Sequence, residues 1–399
     1  MNKKYYSLGL AALIALVLVI GTQSCSIPKS RYMHYAERIA QSEMQHNPEL
    51  WMTDGVQQPK WEYTHGLMAR SFLQLYQATG DTAYLGYVNR FADRMIAEDG
   101  TILTYKQSIY NMDRIQGGNF LIMLNEIDPQ PRYAIAIETL REQLNGQPRT
   151  SEGGFWHKQV YPCQMWLDGL FTGTTFYARY SAWKEDAAAW DDIVNQFRVV
   201  DKHTLKPNGL NYHGWDESRQ MAWADSITGC SQETWGRAEG WYLMALCDVL
   251  DLMPREHSGR NELMAILNRV CESLLVYQDS ATHTWCQVPD RPNDEGNYRE
   301  STCTAMYAYA MAHGANMGYL PIAYLDVARK AIDGLWVNAV RENEDGTVSL
   351  TNCCAVAGLG GTPFRSGTYD YYIHERIRDD DPKGLGPFIL ASIELANAR

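Results

Sequence analysis

One pattern, repeated six times, decides what this chain can become. A strongly apolar helical segment, entered through a loop usually rich in glycine, is followed by a more polar, amphipathic one. WEYTHGLMARSFLQLYQATGD from Trp61 precedes TAYLGYVNRFADRMIAEDG, and GGNFLIMLNEI from Gly117 precedes RYAIAIETLREQLN. DGLFTGTTFYARYSAW from Asp168 precedes DAAAWDDIVNQFRVV, and GRAEGWYLMALCDVLDLM from Gly236 precedes NELMAILNRVCESLLVYQD. ESTCTAMYAYAMAHG from Glu300 precedes PIAYLDVARKAIDGLW. The sixth apolar segment, GLGPFILASIELANA from Gly384, pairs with an entry helix within residues 29–54, where Tyr32, Ala36, Ile39 and Ala40 recur at helical spacing and Asn47-Pro48 ends the pattern.

A helix that is apolar nearly all round must be covered on most sides, whereas its amphipathic partner can stay half wet. Closing six hairpins into a ring meets both demands. The expected fold is therefore all-α: an (α/α)6 double-layered barrel of six inner and six outer helices, with short rim strands in WHKQVY, GLNYHGWD, TWCQVPD and GTVSLTN. The alternative is an open helical solenoid, which would not gather aromatic residues at one end of the inner helices. In the ring, every inner helix starts at the same end, so the loops carrying Asp113, His157, Asp168, His213, Trp235, Arg237 and Glu300 face one cavity.

Composition narrows the function. With 35 basic against 47 acidic residues the net charge is −12, which argues against a nucleic-acid partner. Twelve Trp and 25 Tyr suit either a core or flat faces for sugar rings. No C-x-x-C, H-E-x-x-H, Walker-type or strand-following G-x-G-x-x-G pattern occurs, so neither a metal nor a nucleotide cofactor is expected. The first residues, a basic start and an apolar run from Leu8 to Ile20 ahead of Cys25, have the layout of a signal peptide over residues 1–25 that ends at a lipobox-like cysteine. The expectation is export, to the periplasm or the outer membrane of a Gram-negative bacterium, with a lipid anchor on Cys25 and a single barrel domain over residues 29–399.

Trp156–Gly173 is the stretch where chemistry concentrates. Asp168 lies where an extended segment turns into an apolar helix, behind Trp166 and ahead of Leu170, Phe171 and Phe176. It serves either as a plain helix cap or as a desolvated carboxyl with a raised pKa, fit to be a general acid. Asp113, at the preceding inner-helix entrance, is either a cap or partner of Arg114, or a second carboxylate facing the same small ring as Asp168. His157 and His213, in WHKQ and NYHGWDE, are either structural or donors to sugar hydroxyls. Arg237, between Trp235 and Trp241, pairs with Glu239 or Asp216, or captures a substrate carboxylate.

Read together, WEYTHG, NMDRI, the His157–Asp168 stretch with MWLDGLF, NYHGWDES, TWGRAEGWY, ESTCTAMYAYA, AVAGLGG and DPKGLGP resemble glycoside hydrolase family 105, the unsaturated rhamnogalacturonyl hydrolases, related to the unsaturated glucuronyl hydrolases of family 88. The resemblance implies a six-hairpin barrel. It also implies release of a 4,5-unsaturated uronic acid from the non-reducing end of lyase-made pectic oligosaccharides by hydration of the C4=C5 enol ether. It implies Asp168 as the proton donor and Asp113 as the second acid, with His157, His213 and Arg237 binding substrate; the residues themselves place Trp166, Trp235 and Trp241 as candidate substrate-binding linings of the same pocket. Gly236, Ala238 and Glu239 depart from the family's common wording, and Glu239 is expected to bring a negative charge beside Arg237. The rival readings are an unsaturated glucuronyl hydrolase on another polysaccharide, a hydrolase of saturated glycosides, and a non-catalytic carbohydrate-binding lipoprotein.

Overall fold

The computed structural model describes residues 30–398, so the apolar leader and Cys25 lie outside the described residues. Six long helices form the inner layer: α2 (Tyr63–Thr79), α4 (Gly118–Ile127), α6 (Thr175–Trp183), α8 (Gly236–Leu252), α10 (Ser301–Asn316) and α12 (Pro382–Asn397). The outer layer is α1 (Arg31–His46), α3 (Thr82–Met95), α5 (Pro131–Gly146), α7 (Trp190–Thr204), α9 (Arg260–Leu275) and α11 (Tyr324–Asn338). Each inner helix packs on the next, and α12 returns to α2. That closing contact rules out the open solenoid. The outer helices lie on their hairpin partners, with α1 on α12 as the sequence pattern anticipates.

Burial follows the two-layer logic. Every residue from Gly236 to Leu250 of α8 and from Ser301 to Ala315 of α10 is buried. The outer α3 buries only the stripe Tyr84, Tyr87, Val88, Phe91, Ala92 and Met95. Glycines let inner backbones approach: a Cβ on Gly66 of α2 would stand 2.8 Å from the Gly117 Cα at the mouth of α4. Inside the ring Arg70 of α2 forms a two-pronged ion pair with Asp248 of α8, with Nη2 2.6 Å from Oδ1, and Nη2 also donates to the Tyr309 hydroxyl of α10 at 2.9 Å. This link ties three inner helices together away from the loops.

The rim carries three two-stranded antiparallel sheets: β1 (Gln164–Trp166) with β2 (Gly214–Asp216), β3 (Val340–Glu342) with β4 (Val348–Leu350), and β5 (Cys353–Cys354) with β6 (Ile377–Arg378). WHKQVY and TWCQVPD contribute isolated bridges rather than strands, through Lys158 and Cys286. Ahead of α6 the chain makes a helical turn, Leu167–Gly169, and then a wide π turn, Leu170–Thr174. The added residue of a π turn rotates what precedes it by roughly 100° relative to the helix that follows, which changes the direction in which Asp168 leaves the axis.

Candidate active site

Two rim pairings assemble the site. In the β1–β2 ladder Trp166 faces Gly214, and the Leu167 amide donates to the His213 carbonyl at 3.1 Å. His213 is thereby set beside Asp168, with Nε2 3.1 Å from Oδ2. In the second pairing Asn111 bridges to Lys158, and the Met112 amide donates to the His157 carbonyl at 3.0 Å. This brings Asp113 against Lys158 Nζ at 2.6 Å and His157 Nε2 at 3.5 Å.

The helix-cap reading of Asp168 fails: its carboxylate takes the His213 imidazole, and no side chain caps the turn that contains it. The residue is shielded, its side chain 15% exposed. The expected rise in its pKa is corrected. Burial does push the Asp168 carboxyl up, but the electrostatic pull of the adjacent His213, its hydrogen bond and the nearby His157 outweigh burial and hold the carboxyl below its ordinary range. Asp113 pushes in the upward direction as a smaller effect. The sequence showed the burial and could not show the imidazole, because His213 lies 45 residues away.

Asp113 is not simply the twin of Asp168. Burial raises its carboxyl as well, but Lys158 and then His157 bring it net below its usual range, so it stays ionised. Burial drives His157 down to about 4 against the pull of Asp113, leaving a neutral ring whose Nδ1 is buried without a hydrogen-bond partner among the described residues. Each acid thus has its own basic partners.

Arg237, in the first turn of α8, donates from Nη1 to the Cys354 carbonyl at 2.6 Å and lies over the Trp235 ring at 4.8 Å. Its Nη2 is buried with no hydrogen-bond partner among the described residues. The expected pairing of Arg237 with Glu239 or Asp216 does not form. Glu239 is two residues along the helix, on the far side, where its charged neighbours are Arg269, Lys206 and Asp201. Asp216 instead accepts from Ser218, Gln220 and Met221. Glu300 is structural: it accepts from the Cys303 and Cys354 amides and caps α10.

The tryptophans are walls, not open platforms. Trp166, 4% exposed, stacks with His157 at 4.6 Å and with Tyr161 at 5.0 Å. Trp235 carries Arg237 and stacks with Tyr372 at 6.0 Å, while Trp241 stacks with Phe171 at 4.4 Å. The rings exclude water and fix the polar groups in front of them.

Several site residues escaped the sequence reading. Lys158 sits next to His157, yet its partner Asp113 is 45 positions back, brought to it by the backbone pairing of their two loops. Tyr372, in an aromatic and basic tail whose sequence suggests a leaving-sugar contact or loop packing, instead reaches His213 across 159 positions. Tyr63, at the start of α2, lies in the field of both Arg237 and Asp113. The opening WEYTHG of its hairpin was the available signal.

Residues 35–398 match the model of Glycosyl Hydrolase Family 88. The chain belongs to that family. A solved glycoside hydrolase of family 105 from C. acetobutylicum is 41% identical, with a TM-score of 0.87 over 90% of this chain and 99% of that one. The protein Atu3128 of Agrobacterium fabrum is 38% identical over 51% of this chain and 89% of its own length. The unsaturated rhamnogalacturonyl hydrolase YesR of Bacillus subtilis is 25% identical over 72% of this chain and 78% of its own. The family 88 and 105 resemblance and the six-hairpin barrel are both borne out, and this family 88 member is a glycoside hydrolase acting on an oligosaccharide.

Proposed function

We propose that this enzyme removes a 4,5-unsaturated uronic acid from the non-reducing end of lyase-generated pectic oligosaccharides of the rhamnogalacturonan type. The carrying observation is the buried Arg237, whose Nη2 has no hydrogen-bond partner among the described residues and which shares one rim with the Asp168–His213 and Asp113–Lys158 pairs. A guanidinium held in this way suits a sugar carboxylate. The kinship with the rhamnogalacturonyl hydrolase of Bacillus subtilis supports the choice of leaving sugar.

In this reading the substrate carboxylate docks on Arg237. An incoming anion and the loss of water both raise the Asp168 carboxyl from its low resting value, so it takes up a proton as the site fills. Asp168 gives that proton to C4, and the C4=C5 electron pair forms the new C–H bond. Positive charge appears at C5 and is shared by the ring oxygen. Water adds at C5 and releases a proton to the Asp168 carboxylate, restoring the acid. The hemiketal opens, and the anomeric carbon becomes an aldehyde as the neighbouring sugar leaves as an alcohol. Asp113, held ionised by Lys158, orients a hydroxyl or the attacking water, and His157 completes the hydroxyl contacts, while His213, with both ring nitrogens engaged by Asp168 and Tyr372, serves the acid itself. No glycosyl-enzyme forms, so carboxylate spacing does not dictate stereochemistry.

The apolar leader and Cys25 support export and a lipid anchor, in the periplasm or on the outer membrane of a Gram-negative cell. The test is a panel of lyase-made disaccharides with rhamnose or another sugar on the leaving side, followed by loss of the enol-ether ultraviolet absorbance and by product mass. Turnover confined to a glucuronyl-type substrate from another polysaccharide, or binding with no product, refutes the proposal. For the anchor, Cys25→Ser shifts the protein from the membrane to the soluble fraction; unchanged fractionation refutes it.

A further inference from the structure

We infer that Tyr372 is a positioning residue that holds His213 as the Nε2–H tautomer by donating its hydroxyl hydrogen to Nδ1, so that the imidazole always donates to Asp168. The inference deepens the proposed reaction and rests on it for its catalytic consequence.

Tyr372 sits in the short helix Tyr369–Ile373, in a tail that the sequence shows only as an aromatic, basic rim. Its hydroxyl lies 2.7 Å from His213 Nδ1, and the opposite ring nitrogen lies 3.1 Å from Asp168 Oδ2. Both Tyr372 and His213 are fully buried. The tyrosine ring is stacked on Trp235, and its backbone carbonyl accepts from Gln287 Nε2 at 3.1 Å, so the hydroxyl has little freedom to leave.

The hydrogen assignment follows from what each group can do. An ionised carboxylate only accepts, so Nε2 must carry the hydrogen that points at Asp168. In a neutral ring Nδ1 then presents a lone pair, which a hydroxyl fills by donating. Burial keeps the Tyr372 hydroxyl protonated, raising its pKa well above the ordinary value. The arrangement engages Oδ2 as an acceptor throughout the cycle and leaves Oδ1 to carry the proton destined for C4. His213 then needs no change of tautomer between the protonated and ionised states of Asp168. Without the hydroxyl, a buried Nδ1 loses its donor. The ring then gains freedom to place its hydrogen on Nδ1 and turn a bare Nε2 lone pair toward the carboxylate.

The test is long-range ¹H–¹⁵N NMR on substrate-free, deuterated protein labelled with ¹⁵N-histidine, with the His213 signals assigned by their loss in His213→Gln. The expected wild-type ring is neutral, with a hydrogen on Nε2 and a bare Nδ1. Tyr372→Phe keeps the ring packing and is expected to shift the Nδ1 signal and to lower kcat about 10–100-fold with KM held within about twofold, the scale of one buried acceptor left unpaired. A wild-type ring with hydrogen on Nδ1, or doubly protonated, overturns the inference, as does a Tyr372→Phe protein with wild-type kcat or an unmoved nitrogen signal. The wild-type nitrogen reading decides even if that variant does not fold. Because it needs no substrate, its failure is distinct from failure of the disaccharide panel.

Discussion

Replacing Asp168 with Asn tests the proposed chemistry with little disturbance to the scaffold. The amide has nearly the same volume, and its oxygen can still accept from His213 Nε2 at the position where Oδ2 now lies, 3.1 Å away. Arg237, in the first turn of α8, and the Asp113–Lys158 pair lie on other segments of the chain and keep their contacts. Substrate affinity should therefore survive. An amide cannot hand a proton to carbon, and a positioned general acid is worth about 10²–10⁴ in rate, or ~3–5 kcal/mol of barrier. The expected result is kcat reduced by about that factor, with KM within about threefold of wild type and a retained melting temperature. The assay is the fall in enol-ether absorbance on a lyase-made disaccharide, with product mass as a check. Asp168→Asn with kcat within about threefold of wild type would falsify the assignment, since an amide has no proton to give to carbon.

Three further outcomes follow from charges in the structure. The Asp168 carboxyl is held low in the empty enzyme and must be protonated to act, so kcat/KM is expected to be largest at acidic pH and to fall about tenfold per pH unit above the Asp168 pKa; a plateau extending through neutral pH in the pH–rate profile contradicts this. Glu239, fully buried with both oxygens unpartnered among the described residues, is pushed by burial up to about 8 from 4.5. Its folded pKa exceeds the unfolded one, so the native state binds the extra proton and stability falls as pH rises from about 4.5 to about 8; the melting-temperature advantage of Glu239→Gln over wild type should grow across that window, and a constant difference refutes it. Asp248→Asn leaves Arg70 a buried, uncompensated cation and should cost about 3–5 kcal/mol in denaturant unfolding, whereas a loss below about 1 kcal/mol would mean that the link between α2 and α8 is not a structural anchor.

Much of this protein is decided by the order of its residues. The alternation of all-apolar and amphipathic helices, and the glycines that allow their close approach, require a closed double ring, because helices like α8 and α10 have no face that tolerates water. The same order places Asp113, His157, Asp168, His213 and Arg237 on loops at one end. Tertiary structure alone decides what these groups are chemically. Asp168 looked like an acid lifted by burial, and it is lowered because β1–β2 pairing delivers His213 to it. Glu239 looked like a neighbour of Arg237 and faces the opposite side of α8. The tryptophans read equally as core or as sugar platforms, and Trp166, Trp235 and Trp241 turn out to be packed walls. The reason is one of range: hydrophobic periodicity is written in residues three and four apart, whereas a carboxyl's pKa is set by charges a few ångströms away that arrive from 45 or 159 positions along the chain.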